Sequence, residues 1–231
     1  MIVETTTFLT LLGGGSVTSA EIALAVARAP ILVAADGGAE AALAEGILPE
    51  AVIGDFDSIS PEVLEALDPA RVHHVAEQDS TDFEKTLARV SAPLMLAAGF
   101  TGRRRDHELA ALHGLMRFPQ KRVILITEAD AICLCPPSIA IDLPRACRVS
   151  LFPLAPVAGT SSGLRWPIDG LAFAPGHRIG TSNMANGETV RLTMTAPAML
   201  LILPLGQIDA LIAALTGPAT AWPGLGATGG G

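Results

Sequence analysis

Ile31-Leu32-Val33-Ala34-Ala35-Asp36-Gly37-Gly38 is the stretch that decides the fold. Its five apolar residues do not alternate with polar ones. That pattern fits a strand covered on both faces, as strands of parallel sheets are. Asp36-Gly37-Gly38 ends the run, and residues 39–45 read as a short helix. Residues 51–53 form the next apolar segment and place Asp55 and Asp57 just beyond its carboxyl end. A strand, a helix and a second strand in this order make the repeating unit of a parallel sheet.

The same alternation extends in both directions. Upstream, residues 8–12 run into Gly13-Gly14-Gly15, and Thr18 with Glu21 forms a capping box that opens a helix to Arg28. Downstream, Ser60-Pro61 starts a helix with Ser as N-cap and Pro at the first helical position. Residues 72–75 and 94–98 read as strands, and Thr81 with Glu84 caps a helix reaching about Val90. A helix from about Asp106 to Phe118 and a strand at 123–127 close the series. The expectation is an α/β N-terminal domain, residues 1–128, with a mainly parallel sheet. Its ligands belong beyond the carboxyl ends of the strands.

After residue 128 the helices give way to short segments separated by Pro and Gly, at 131–135, 138–141, 149–152, 189–195 and 198–203. They imply a C-terminal all-β sandwich domain, residues 129–216, with a terminal helix at 208–215. Residues 217–231 are rich in Pro and Gly and are expected to form a flexible tail.

Half of the 231 residues are apolar and 16% are charged, which excludes disorder for most of the chain. The net charge of −8 argues against a nucleic-acid partner. No apolar run reaches membrane-spanning length, and Glu4 with three threonines stands where a signal peptide would be basic. A cytoplasmic protein without membrane attachment is expected. Cys133, Cys135 and Cys147 read as thiols rather than a disulfide framework or a metal site, since their number is odd and no histidine has ligand spacing.

The chemistry concentrates in Gly54-Asp55-Phe56-Asp57-Ser58 and Gln78-Asp79-Ser80-Thr81-Asp82-Phe83-Glu84-Lys85. Carboxylates placed this closely repel one another unless a cation lies between them. Hard divalent ions such as Mg²⁺ bind to one or two carboxylates together with substrate phosphates. In extended backbone, Asp55 and Asp57 would point the same way. Asp82 falls in the first turn of its helix, with Lys85 one turn later on the same face. Each feature has an ordinary alternative: a turn for Asp-x-Asp, a helix-dipole contact for Asp82, an exposed Lys85. The combination points to a metal–polyphosphate site. Gly102-Arg103-Arg104-Arg105-Asp106-His107 offers guanidinium groups for phosphate oxygens, or a solvated loop. The glycine run at 13–15 lacks the lysine of a phosphate-binding loop, and Asp36 suits a ribose, a base or a plain turn.

Taken in order, these segments resemble the thiamine pyrophosphokinase (thiamin diphosphokinase) family. The match runs through Ala35-Asp36-Gly37-Gly38-Ala39, the two acidic stretches, the arginine loop, Ser150-Leu151-Phe152-Pro153-Leu154, Gly163-Leu164-Arg165-Trp166 and Gly180-Thr181-Ser182-Asn183. The resemblance implies transfer of the diphosphoryl group of ATP to the hydroxyl of thiamine, giving thiamine diphosphate and AMP. It implies Mg²⁺ on Asp55, Asp57 and Asp82, with Lys85 and Arg104 neutralising the transferring groups. Asp36, Gln78, Thr81, Arg104 and Asp106 would position nucleotide or phosphate. Trp166, Ser182 and Asn183 would contact thiamine, and a homodimer would share its thiamine sites between subunits. The family usually carries a second glycine where this chain has Arg103. Two other readings stand beside it: a diphosphokinase acting on another alcohol, such as a hydroxymethyl pterin, and a non-catalytic thiamine- or nucleotide-binding module.

Overall fold

The computed structural model describes residues 1–218 and 220–224. Two compact units emerge. The first comprises Met1–Gly114 and Leu125–Glu128, and the second Leu115–Ile124 with the residues from Ala129 onward.

In the first unit, β1 (Val3–Glu4) pairs in parallel with β6 (Val90–Ser91) as a small separate ribbon. The main sheet holds β2 (Leu9–Leu12), β3 (Ile31–Ala35), β4 (Ala51–Gly54), β5 (Val72–His74) and β7 (Met95–Ala98). Their order is β7-β2-β3-β4-β5, and every pairing among them is parallel. Leu125 and Ile126, the end of β8 (Val123–Ile126), extend this unit. β2, β4 and β7 are buried along their whole length, as expected of strands covered on both faces. The helices are α1 (Ser19–Arg28), α2 (Gly38–Ala44), α3 (Pro61–Ala66), α4 (Asp82–Arg89) and α5 (Arg105–Arg117), whose last turn lies in the second unit.

Both expected capping boxes form. Thr18 Oγ1 accepts from Glu21 N and the Glu21 carboxylate accepts from Thr18 N; Thr81 and Glu84 repeat the exchange at α4. Ser60 is the N-cap of α3, with Pro61 behind it, but its side chain makes no capping bond. Asp106 lies inside the first turn of α5, which begins one residue earlier than expected.

The loops at the carboxyl ends of β2, β3 and β7 come together so tightly that some positions admit only glycine. A Cβ on Gly38 would lie 2.0 Å from Leu12 O, and one on Gly99, whose φ is +77°, would lie 2.4 Å from Gly13 O.

The second unit contains two antiparallel sheets. One runs β14 (Gly180–Met184), β11 (Arg148–Pro153), β16 (Met199–Pro204), β9 (Asp130–Leu134). The other runs β10 (Ser138–Ile141), β15 (Val190–Met194), β12 (Val157–Ser162), β13 (Ala172–Phe173). Ile139, Ile141, Val190, Leu192 and Met194 alternate inward, which is the period-two pattern of a sandwich. The helix α6 (Ile208–Thr216) lies against β10.

The two-residue strands β1 and β6 were not expected from the sequence, nor were three strands of the second unit. β12 is Val-Ala-Gly-Thr-Ser-Ser, too polar for an apolar-run criterion, and β13 has only two residues. The segment 180–183, which lies outside the five expected β segments, is part of β14. As the edge strand of its sheet it keeps Thr181 and Ser182 exposed and so carries little hydrophobic signal.

Cys133 and Cys135 are buried free thiols, and burial pushes the Cys133 thiol up to about 12. Cys147 is partly exposed, and its thiol is also raised by burial. Of the tail expected from Gly217, residues 219 and 225–231 lie outside the described residues. In the rest, Thr220 N donates to Ser138 O and Trp222 Nε1 donates to Cys135 O at 2.9 Å. No described helix is long and apolar enough to cross a membrane.

Candidate active site

The residues following β3 and β4 bring three carboxylates together. Asp36, Asp55 and Asp57 each offer an oxygen, and these oxygens lie within 4.8 Å of one another. The convergence does not come from extended backbone, as the spacing alone suggested. β4 ends at Gly54, and Phe56 takes a left-handed φ of 64°. This turn folds the chain so that Asp57 N approaches Asp55 Oδ1 at 3.4 Å. Asp36 is also left-handed, at φ 44°. Non-glycine residues in this region store strain, which collects at functional sites.

Asp36 is the least solvated of the three. Its Oδ2 accepts from Ser58 N at 3.2 Å, while its buried Oδ1 has no hydrogen-bond partner among the described residues. Burial raises its pKa, and the nearby charges of Asp82 and Asp57 add to the effect. A buried acceptor left unpaired costs about 1–3 kcal/mol, which a cation at this point offsets. The donor set, all carboxylate oxygen, is that of a hard divalent ion.

Lys85 is 3% exposed and lies between two acids: Nζ is 2.7 Å from Asp55 Oδ2 and 3.2 Å from Asp82 Oδ1. Burial opposes its charge, but the bond to Asp55 and the charge of Asp82 outweigh that and raise its pKa. The hydrogen bond from Lys85 in turn lowers the pKa of Asp55. Asp82 is raised because burial outweighs the attraction of Lys85. Asp82, expected among the metal ligands, thus faces Lys85, and Asp36, expected at the nucleotide, joins Asp55 and Asp57. Gln78, also expected at the nucleotide, donates Nε2 to Asp55 Oδ2 at 3.1 Å.

Asp36 and Asp82 also line a cleft of about 310 Å³. Its other walls are the glycines 13–15, Thr81, Phe100, Arg103, Arg104 and His107. Asp55 and Asp57 do not line it, so Asp36 is the carboxylate shared by the acidic cluster and the cleft. The volume falls within the range of small-molecule pockets. Arg104 holds Asp106 in a two-pronged pair, at 3.2 and 2.6 Å, and this bond lowers the pKa of Asp106. Asp106 therefore orients Arg104 rather than facing the cleft itself. The glycine of this loop that needs conformational freedom is Gly102, at φ +94°. Arg103 has no such φ, so an arginine at this position does not strain the backbone.

In the second unit, Trp166 is exposed, with the Arg165 guanidinium 4.8 Å from its ring centroid. Asn183 is buried and clamps the Trp166 backbone: its Nδ2 donates to Trp166 O at 2.7 Å and its Oδ1 accepts from Trp166 N at 3.2 Å. Ser182 is exposed and left-handed at φ 63°, and its N donates to Ser150 Oγ where the pairing of β11 with β14 shifts register. Asn183, expected to touch a ligand, is tied to the Trp166 backbone by both of these bonds. The sequence reading gave no role to Ser58, although it stands inside the quoted Asp55–Asp57 motif and bonds both Asp36 and Asp57.

A parallel sheet with an acidic cluster and a glycine-lined cleft beyond its carboxyl ends places the chain among the α/β proteins that bind ligands at that edge. Residues 22–127 match the family described as thiamin pyrophosphokinase, catalytic domain, and residues 138–199 match thiamin pyrophosphokinase, vitamin B1 binding domain. The chain belongs to the thiamin pyrophosphokinase family. Its curated relatives include thiamine pyrophosphokinase 1 of Oryza sativa subsp. japonica, 34% identical over 164 residues, or 63% of this chain and 62% of that protein. Thiamine pyrophosphokinase 3 of the same plant is 29% identical over 209 residues, 75% of this chain and 78% of that one. The chain thus spans less than two thirds of the first relative's length. Thiamin pyrophosphokinase from Candida albicans has a similar fold, with a TM-score of 0.70 at 18% identity over 87% of this chain and 91% of that one. Thiamine pyrophosphokinase from Bacillus subtilis gives 0.68 at 20% identity over 85% and 98%.

Proposed function

We propose that this protein is a thiamine diphosphokinase. The hydroxyl oxygen of thiamine attacks the β-phosphorus of ATP, the bond from that phosphorus to the α–β bridging oxygen breaks, and AMP leaves as the hydroxyl proton is lost. The observation that carries the reading is the meeting of Asp36, Asp55 and Asp57 beside a cleft lined by glycines and arginines. Bound Mg²⁺ would screen the phosphate chain, which is most of what such a transfer needs beyond positioning. Asp36, Asp55 and Asp57 would hold it, and Asp82, whose charge acts on Asp36, would join the set. Lys85 fixes the orientation of Asp55 and Asp82 and balances their charge. Thr81 shapes the cleft wall through its cap on α4, and Arg104, oriented by Asp106, would meet phosphate oxygens there. Trp166 offers a ring face to the cationic thiazolium and Ser182 a hydroxyl, while Asn183 keeps Trp166 in place. The same reading makes the protein a cytoplasmic homodimer whose thiamine sites draw on both subunits.

Incubation with ATP, Mg²⁺ and one alcohol at a time tests this. AMP and thiamine diphosphate should appear together with thiamine and not with a hydroxymethyl pterin. AMP release with the pterin alone, or tight thiamine binding with no AMP at any Mg²⁺ concentration, would overturn the proposal in favour of the two alternatives.

A further inference from the structure

Resting on the reading of the cleft as a nucleotide site, the structure assigns to Arg103 the binding of the polyphosphate: we infer that its guanidinium is the uncommitted positive charge of the cleft and takes phosphate oxygens directly. The argument is one of charge. The triphosphate of ATP carries about four negative charges, and a single divalent ion removes two of them. The protein must balance the remainder, yet Asp36, Glu40 and Asp82 also line this cleft. The nearby cations are mostly engaged. Lys85 is buried between Asp55 and Asp82. Arg104 is paired with Asp106 through two bonds. Arg105 is paired with Glu108 at 2.7 Å and does not line the cleft.

Arg103 lines the cleft and makes no ion pair among the described residues. The turn at Gly102, left-handed at φ +94°, precedes it and lets Arg103 follow in ordinary backbone. The residue that departs from the family pattern is therefore the one in this loop with a free fork of donors. A guanidinium can meet phosphate with two parallel hydrogen bonds, which a glycine at this position cannot supply.

The experiment uses the full chain, with Mg²⁺ and inorganic triphosphate as the calorimetric probe and no thiamine present. Arg103→Gly should weaken binding about tenfold or more, the scale of one lost charge-assisted contact. Arg103→Lys should recover part of that loss, because it keeps the charge without the fork. Arg105→Ala, outside the cleft, should bind like the parent. Unchanged affinity in Arg103→Gly overturns the inference. So does an Arg105→Ala loss equal to that of Arg103→Gly, which would mean that only the net charge of the loop matters. The melting temperature of each unliganded variant is measured alongside, and an Arg103→Gly loss that Arg103→Lys does not relieve at all also overturns it. Arg103-dependent triphosphate binding with no AMP release from ATP and thiamine would instead sink the proposed activity and leave Arg103's role standing.

Discussion

Replacing Lys85 by Met tests the electrostatic design of the site most directly. Lys85 is 3% exposed, and its partner Asp55 is 12% exposed. Methionine keeps most of the volume and removes the charge, leaving Asp55 and Asp82 facing each other near Asp57. Deleting one member of a buried pair costs about 3–5 kcal/mol. Asp82 is 34% exposed, so water screens part of the loss, and about 2–3 kcal/mol is the reasoned figure at pH 7. In a chain of this size that lowers the first thermal transition by roughly 4–12 °C. The pH dependence fixes the cause. The Asp55 pKa is lowered in the folded protein, chiefly by Lys85. Its contribution to stability is therefore fully present above the unfolded value near 3.8 and is lost as pH falls through the folded value. In the variant that contribution is gone, and the acids gain stability on protonation. The gap between parent and variant should be widest near neutrality and narrow as pH falls below 3.8. Calorimetry from about pH 8 to about pH 2 measures it. A gap that stays constant with pH, or one below about 0.5 kcal/mol at pH 7, would refute the ion-pair reasoning.

Asp57→Asn keeps shape and hydrogen bonding but removes one charge from the cluster; turnover should fall by about 100-fold or more while the melting temperature stays within roughly 2 °C, as steady-state AMP assays and calorimetry would show. Asn183→Ala removes both bonds that hold the Trp166 backbone, so KM for thiamine should rise several-fold and KM for ATP should not, a split read from initial rates. Gly38→Ala places a methyl 2.0 Å from Leu12 O and should destabilise the first unit by about 1–3 kcal/mol in urea unfolding.

The sheet was legible because its strands are buried on both faces. Residues 31–35 and 51–53 announce themselves as unbroken apolar runs, and Thr81 with Glu84 marks a helix start that the structure reproduces. β14 escaped notice because an edge strand with exposed Thr181 and Ser182 has no hydrophobic period to detect. At the site, the sequence identified the residue types but not their partners. Asp55 and Asp57 meet through a left-handed Phe56, and no spacing rule anticipates that conformation in a phenylalanine. Asp36 joins them because β3 and β4 are neighbours in the sheet, a fact of strand order rather than of distance along the chain. Asn183 entered through the family resemblance of residues 180–183, and its bonds to the Trp166 backbone depend on folding that the motif does not spell out.

The two interior cysteines have a practical consequence. Cys133 and Cys135 are buried, and that burial raises both thiols well away from their nucleophilic form at pH 7. Alkylating reagents applied to the native fold will therefore select Cys147. A fluorophore or spin label can be installed there without mutagenesis, which gives the β-rich unit a built-in reporter for ligand titrations.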